Sequence, residues 1–200
     1  MLPSLMTSFA RAVACVALVA GCSGGPAVVE TPRPAATSEK PVAPKPDPDA
    51  GKAPTPYSAA QIREASKAGR TITFITEAPG KPPQQRRMRF LAVDDERATI
   101  ADEVLDDTGK PVGAAETEVA TWEELRRHAS FPKEQTTIVD AVAEVPAGSF
   151  PCKRYTVIDG NTKRTMCFAN ELPGPPVEMI IEEDGKLVVS MELLKNEPGQ

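Results

Sequence analysis

From Thr71 to Leu194 apolar and polar residues alternate with a period of two, and turn residues interrupt the alternation at short intervals. Such segments are too short and too frequently broken for long helices. They fit antiparallel strands joined by hairpins. Thr71 to Thr76 is rich in β-branched residues, and Pro79-Gly80-Lys81-Pro82-Pro83 turns the chain. In Arg86 to Val93, Met88, Phe90 and Ala92 share one face. Asp94-Asp95-Glu96 and Asp106-Asp107-Thr108-Gly109 make the next turns, while Val112 to Val119 is a weaker strand. In Thr136 to Val145, Thr137, Val139, Ala141, Ala143 and Val145 are expected inward. Asp184-Gly185 turns the last hairpin, Val177 to Glu183 with Lys186 to Leu194.

Two short helices interrupt this pattern. Ser58-Ala59-Ala60-Gln61 and Thr121-Trp122-Glu123-Glu124 are capping boxes, in which a hydroxyl and a carboxylate or amide satisfy the first free backbone donors. They predict helices over Ala59 to Ala68 and from Trp122 to about Ala129. The predicted fold is mainly β (α+β): a twisted antiparallel sheet or half-barrel of about eight strands with two short helices.

Cys152 to Ile158 and Asn161 to Ala169 make the clearest hairpin. A two-residue type I′ turn at Asp159-Gly160 pairs Ile158 with Asn161 and, counting back, sets Cys152 opposite Cys167.

The other end of the chain has a different character. Arg11 precedes an apolar run from Ala12 to Ala20, about nine residues against the roughly 20 of a membrane span. The run therefore suits a secretory signal, starting at Met1 or Met6, and Val19-Ala20-Gly21-Cys22 follows where cleavage belongs. This order resembles the lipobox of bacterial lipoproteins cut by signal peptidase II. The alternatives are an ordinary cleaved signal and an uncleaved anchor. The resemblance implies cleavage between Gly21 and Cys22, with diacylglycerol on the Cys22 thiol and an N-acyl chain such as palmitate on the new amine. Two or more acyl chains hold a protein stably on a bilayer. By the family's sorting rule, Ser23 in place of Asp favours the outer membrane.

The resemblance and the composition together imply a domain plan. Residues 1–21 are expected to be the signal peptide. Residues 22–57 carry the lipidated Cys22 and a Pro-rich tether with too little apolar surface to offset ordering entropy. Residues 58–195 form the antiparallel β domain, and 196–200 a tail. The implied processing removes Cys15 and acylates Cys22, leaving Cys152 and Cys167. In an oxidising compartment these are expected to form a disulfide, with free thiols or half a metal site as the alternatives.

No active site is evident. His128, the one histidine, lies on a polar helix beside Arg126 and Arg127 and reads as solvated. Trp122, the one tryptophan, reads as a packing anchor next to a cap, with a ligand mouth as the alternative. Lys81, Arg86, Arg87 and Arg89 read as an exposed strand face, with anionic lipid or glycan contact as the alternative. No nucleophile elbow, phosphate loop or metal-ligand spacing occurs, and a net charge of −5 gives no reason to expect nucleic-acid binding.

The layout from Ser58 onward, including Gly148-Ser149-Phe150-Pro151-Cys152 to Val177 and the closing hairpin, resembles the half-barrel domains of lipoprotein carriers. That likeness implies an acyl-binding concavity. The expected protein is a non-enzymatic, membrane-anchored envelope lipoprotein without cofactor or metal, whose β domain binds an apolar ligand or a protein partner. The alternative is a structural or assembly lipoprotein without a small ligand.

Overall fold

The computed structural model describes residues 49–200. The signal segment, the Gly21–Cys22 junction and most of the tether lie outside the described residues. Two helices and nine strands follow in order: α1 Ala59–Ala65, β1 Thr71–Glu77, β2 Gln84–Val93, β3 Arg97–Leu105, β4 Glu116–Thr121, α2 Trp122–Arg127, β5 Thr136–Val145, β6 Gly148–Asp159, β7 Thr162–Ala169, β8 Glu178–Glu183 and β9 Lys186–Glu197.

All nine strands form one antiparallel sheet in the order β4-β3-β2-β1-β9-β8-β7-β6-β5. The first four strands meander outward from β1. The chain then passes through α2 to the opposite edge, and β5 to β9 meander back until β9 lies on β1. β4 and β5 remain as the two edges, so the sheet is open. The mainly β reading, an open antiparallel sheet with two short helices, is thus observed, with nine strands where the sequence predicted about eight.

Both capping boxes form as expected. The Ser58 and Thr121 hydroxyls accept from the backbone of Gln61 and Glu124, whose side chains in turn accept from the backbone N–H of the cap residue. α1 ends at Ala65, three residues earlier than predicted, because Ser66 leaves helical geometry. The short helices persist by packing on each other and on one face of the sheet.

Three expectations need correction. Residues 49–57 are tied to the domain although Asp49 to Lys52 stay exposed: Ala53 and Tyr57 are buried, the Ala53 N–H donates to the Phe131 carbonyl, and the Tyr57 hydroxyl donates to the Ala169 carbonyl. Pro residues there block a strand but leave Tyr57 free to fill a hole beside Phe168, edge to face at 6.2 Å. At the other end the Gln200 N–H donates to the Ala68 carbonyl and Asn196 accepts from Arg70, so the last residues are held against the domain. On edge strand β5, Ala143 is buried as expected but Val139, also expected inward, is 49% exposed, while its neighbour Ile138 packs on the core. Thus the inward face changes along this strand.

The fourth correction is the register of β6 on β7. Cys152 pairs with Ala169, and Cys167 pairs with Arg154. Asp159 pairs with Thr162, so Gly160 and Asn161 are the central turn residues, with Gly160 at φ 59°. A type I′ turn on Asp159-Gly160 needs positive φ at both residues. Among the described residues only Asp184 is a non-glycine with positive φ. A turn with glycine first avoids that cost for Asp159. The observed register also places Tyr155 beside Met166 instead of Arg164.

Candidate functional site

The helices roof an apolar pocket on one face of the sheet. α1 supplies Ile62 and α2 supplies Leu125, with His128 and Ala129 just beyond its end. The sheet supplies Met88 and Phe90 from β2, Ile100 from β3, Met166 and Phe168 from β7, and Met179 from β8. Gly174, Pro175 and Pro176, in the crossing between β7 and β8, close one wall. The cavity measures about 220 Å³. That is small beside the usual ~300–1,000 Å³ of ligand pockets. It suits a slender apolar group better than a bulky ring system.

The floor follows from strand periodicity. Side chains two residues apart share a face, and directly paired residues lie side by side. Tyr155, Met166, Met179 and Met191 are successive partners across β6, β7, β8 and β9. Met88 lies in the same pocket. The chain has six methionines; Met1 and Met6 precede the domain, Met88, Met166 and Met179 line the pocket, and Met191 lies beside Met179 on β9. Unbranched thioethers adapt to irregular apolar partners more readily than branched side chains do. That concentration was the sequence signal for the site. Alternating strand patterns alone do not separate lining from ordinary core.

The polar residues singled out from the sequence fall elsewhere, with one exception. His128 is exposed but lines the pocket, where a solvated helix position was expected. Trp122 is buried and outside this pocket; its Nε1 donates to the Asp94 carbonyl at 2.9 Å, as befits an anchor. Arg86 pairs with Asp102 at 2.9 Å, and Arg87 and Arg89 both pair with the buried Glu103 at 2.7 and 3.3 Å. All three arginines thus pair with carboxylates of the neighbouring strand, two of them sharing Glu103. Asp94 and Asp106 hold turns, and backbone N–H groups keep both carboxyls below the usual range.

Cys152 and Cys167 are free thiols, fully buried on the opposite face from Tyr155 and Met166. Though not directly paired, they touch, and the Arg154 Nε donates to the Cys167 sulfur at 3.3 Å. Burial above all pushes the Cys167 thiol up to about 12; contact with Cys152 adds to the shift and Arg154 opposes it. A thiol so protonated is no nucleophile. Among the described residues no group of three or more His, Cys, Asp or Glu side chains is placed to hold a metal. No helix there is long and apolar enough to cross a membrane.

No family model matches the chain, and no curated protein matches it either. Among solved structures it is similar to MucB, at 14% identity and a TM-score of 0.47, over 70% of this chain and 57% of that one. It is also similar to a LolA superfamily protein, NE2245 from Nitrosomonas europaea, at 12% identity and a TM-score of 0.21, over 71% of this chain and 94% of that one. The chain therefore spans less than two thirds of MucB's length.

Proposed function

We propose that this chain is a non-catalytic envelope lipoprotein, anchored through acylated Cys22, whose open β-sheet domain takes an apolar ligand beneath its two helices. The observation that carries the ligand reading is the roofed pocket, lined by Met88, Met166, Met179 and aromatic and aliphatic neighbours. The absence of catalytic groupings in the sequence is consistent with a binding role. The anchor rests on Val19-Ala20-Gly21-Cys22 alone, and the outer membrane on Ser23.

A slender, rod-shaped fluorescent polyene dye tests the pocket. It should fluoresce on the folded domain and be displaced by alkyl compounds. Ala129→Trp, which fills the space beyond α2, should abolish the signal while leaving the melting temperature close to that of the wild type. Equal dye binding by a well-folded Ala129→Trp variant would remove the pocket from the account.

A second reading, docking of an envelope protein without a small ligand, has its own support. Edge strand β5 leaves one side unpaired, with Val139 49% and Val142 51% exposed. Free strand edges accept an added strand.

A further inference from the structure

Arg70 is a buried cation without a counter-charge among the described residues. Its side chain begins between α1 and β1, and the residue is only 2% exposed. Its Nε donates to Asn196 Oδ1 at 3.2 Å, and its Nη1 donates to the Pro173 carbonyl at 2.8 Å and to Ser66 Oγ at 3.4 Å. All three acceptors are neutral. No Asp or Glu among the described residues forms a salt bridge with Arg70, unlike Arg86, Arg87, Arg89 and Arg126. Tyr57 is the one titratable neighbour whose field acts on it, and burial holds that phenol protonated far above its ordinary range. Tyr57 therefore supplies no negative charge.

Proteins seldom bury a guanidinium this deeply without an anion, because desolvating the charge is costly. Arg70 needs its neutral bonds for structure, yet they use only Nε and Nη1. Nη2 has no hydrogen-bond partner among the described residues, and since no fully buried side-chain nitrogen there lacks one, Nη2 keeps a little accessible surface. It lies against the pocket wall at the one lining residue without a side chain: a Cβ built on Gly174 would sit 3.6 Å from both Nη1 and Nη2. Gly174 also holds φ 146°, a backbone conformation that other residues avoid. A glycine there brings the chamber close to the charge.

From this juxtaposition we infer that the ligand is an amphiphile with one alkyl chain and one carboxylate, the chain lying among the methionines and the acid turned to Arg70 behind Gly174. The inference rests on the reading of the pocket as an apolar ligand site and adds the chemistry of the ligand's polar end. The competing cation is Arg164, exposed on the pocket face two residues from Met166 and in no salt bridge.

The test compares decanoate with decan-1-ol by calorimetry on the full chain at pH 8. The two share a chain and differ in the acid. The wild type should bind decanoate at least tenfold more tightly, about 1.4 kcal/mol. Arg70→Gln, which keeps a hydrogen-bonding amide for Pro173 and Ser66, should bind the two alike while retaining the alcohol. Arg164→Gln should keep the preference. The wild-type comparison needs no variant, so it stands even where Arg70→Gln fails to fold. Equal binding of acid and alcohol by the wild type would overturn this inference and leave the apolar site intact. Loss of the preference in Arg164→Gln, or its survival in Arg70→Gln, would also overturn it. Binding of neither compound would overturn the inference together with the apolar-ligand reading.

Discussion

Arg154 and Cys167 face each other across β6 and β7, and the guanidinium donates its Nε hydrogen to the buried sulfur at 3.3 Å. Cys152 touches the same sulfur from two residues away along β6. As thiols, the pair should resist alkylation in the native state. On export, before folding buries the two sulfurs, the pair is expected to oxidise. Each thiol gives up a proton, and together they give two electrons to an exported disulfide oxidant, which leaves as a dithiol. The bridge closes a loop of about 15 residues, worth roughly 3 kcal/mol. Cys152→Ala with Cys167→Ala should therefore unfold at lower denaturant than the oxidised wild type, with a similar circular dichroism spectrum beforehand. Two titratable thiols in denatured, unreduced protein taken from the envelope would refute the bridge.

Tyr57 should define where the domain begins. Its ring is buried, its hydroxyl bonds to the Ala169 carbonyl, and Pro54 accepts from Tyr155 at 2.9 Å. Tyr57→Phe removes that bond and leaves the carbonyl with the Leu172 N–H, at a cost of about 0.5–1.5 kcal/mol. The melting temperature should fall by roughly 2–4 °C per kcal/mol. A broad protease should stop trimming before residue 49 and not at Ser58. Rapid loss of residues 49–57 with unchanged stability would show that they are dispensable.

Asp94 should contribute to the acid limb of stability. Its carboxylate accepts from the backbone N–H of Glu96 and of Arg97, both at 2.8 Å, and these bonds lower its pKa. A depressed folded value means stability present above the unfolded value of about 3.9 and lost as pH falls through the folded value. Asp94→Asn cannot titrate, so its urea midpoint should drop less between pH 7 and pH 2. Identical drops in variant and wild type would discount the turn carboxylate.

The anchor has a simple test. Cys22→Ser should leave the chain unacylated and released from membranes by a high-salt wash. Retention of the variant on washed membranes, with no labelled palmitate in the wild type, would contradict the lipobox.

The two Asp-Gly turns explain how far this sequence could be read. At Asp184-Gly185 both residues adopt positive φ, 51° and 73°, and Glu183 pairs with Lys186 as expected. At Asp159-Gly160 the same dipeptide moves one place, and every β6–β7 partner shifts by two residues. A two-residue shift leaves each side chain on its original face, so the alternating pattern cannot detect it. Long-range packing decides: Tyr155 gains Met166 beside it and Phe168 edge to face at 5.2 Å. The succession of hairpin strands along the chain, the helix caps and the role of Trp122 were legible because they depend on local chemistry, whereas the pairing of β1 with β9 was not. Arg70 was not legible, since a charged residue after Gly69 reads as solvated until Pro173 and Asn196, 103 and 126 residues away, are seen to enclose it.

The central claim is that the helix-roofed pocket holds an apolar ligand in the cell. Native mass spectrometry of the protein extracted gently from its own envelope addresses it directly. The account predicts a non-covalent adduct, separable from the covalent anchor, that is present on the wild type and lost in Ala129→Trp. A wild-type spectrum free of any such adduct, or an adduct that persists undiminished when the pocket is filled, would contradict the account.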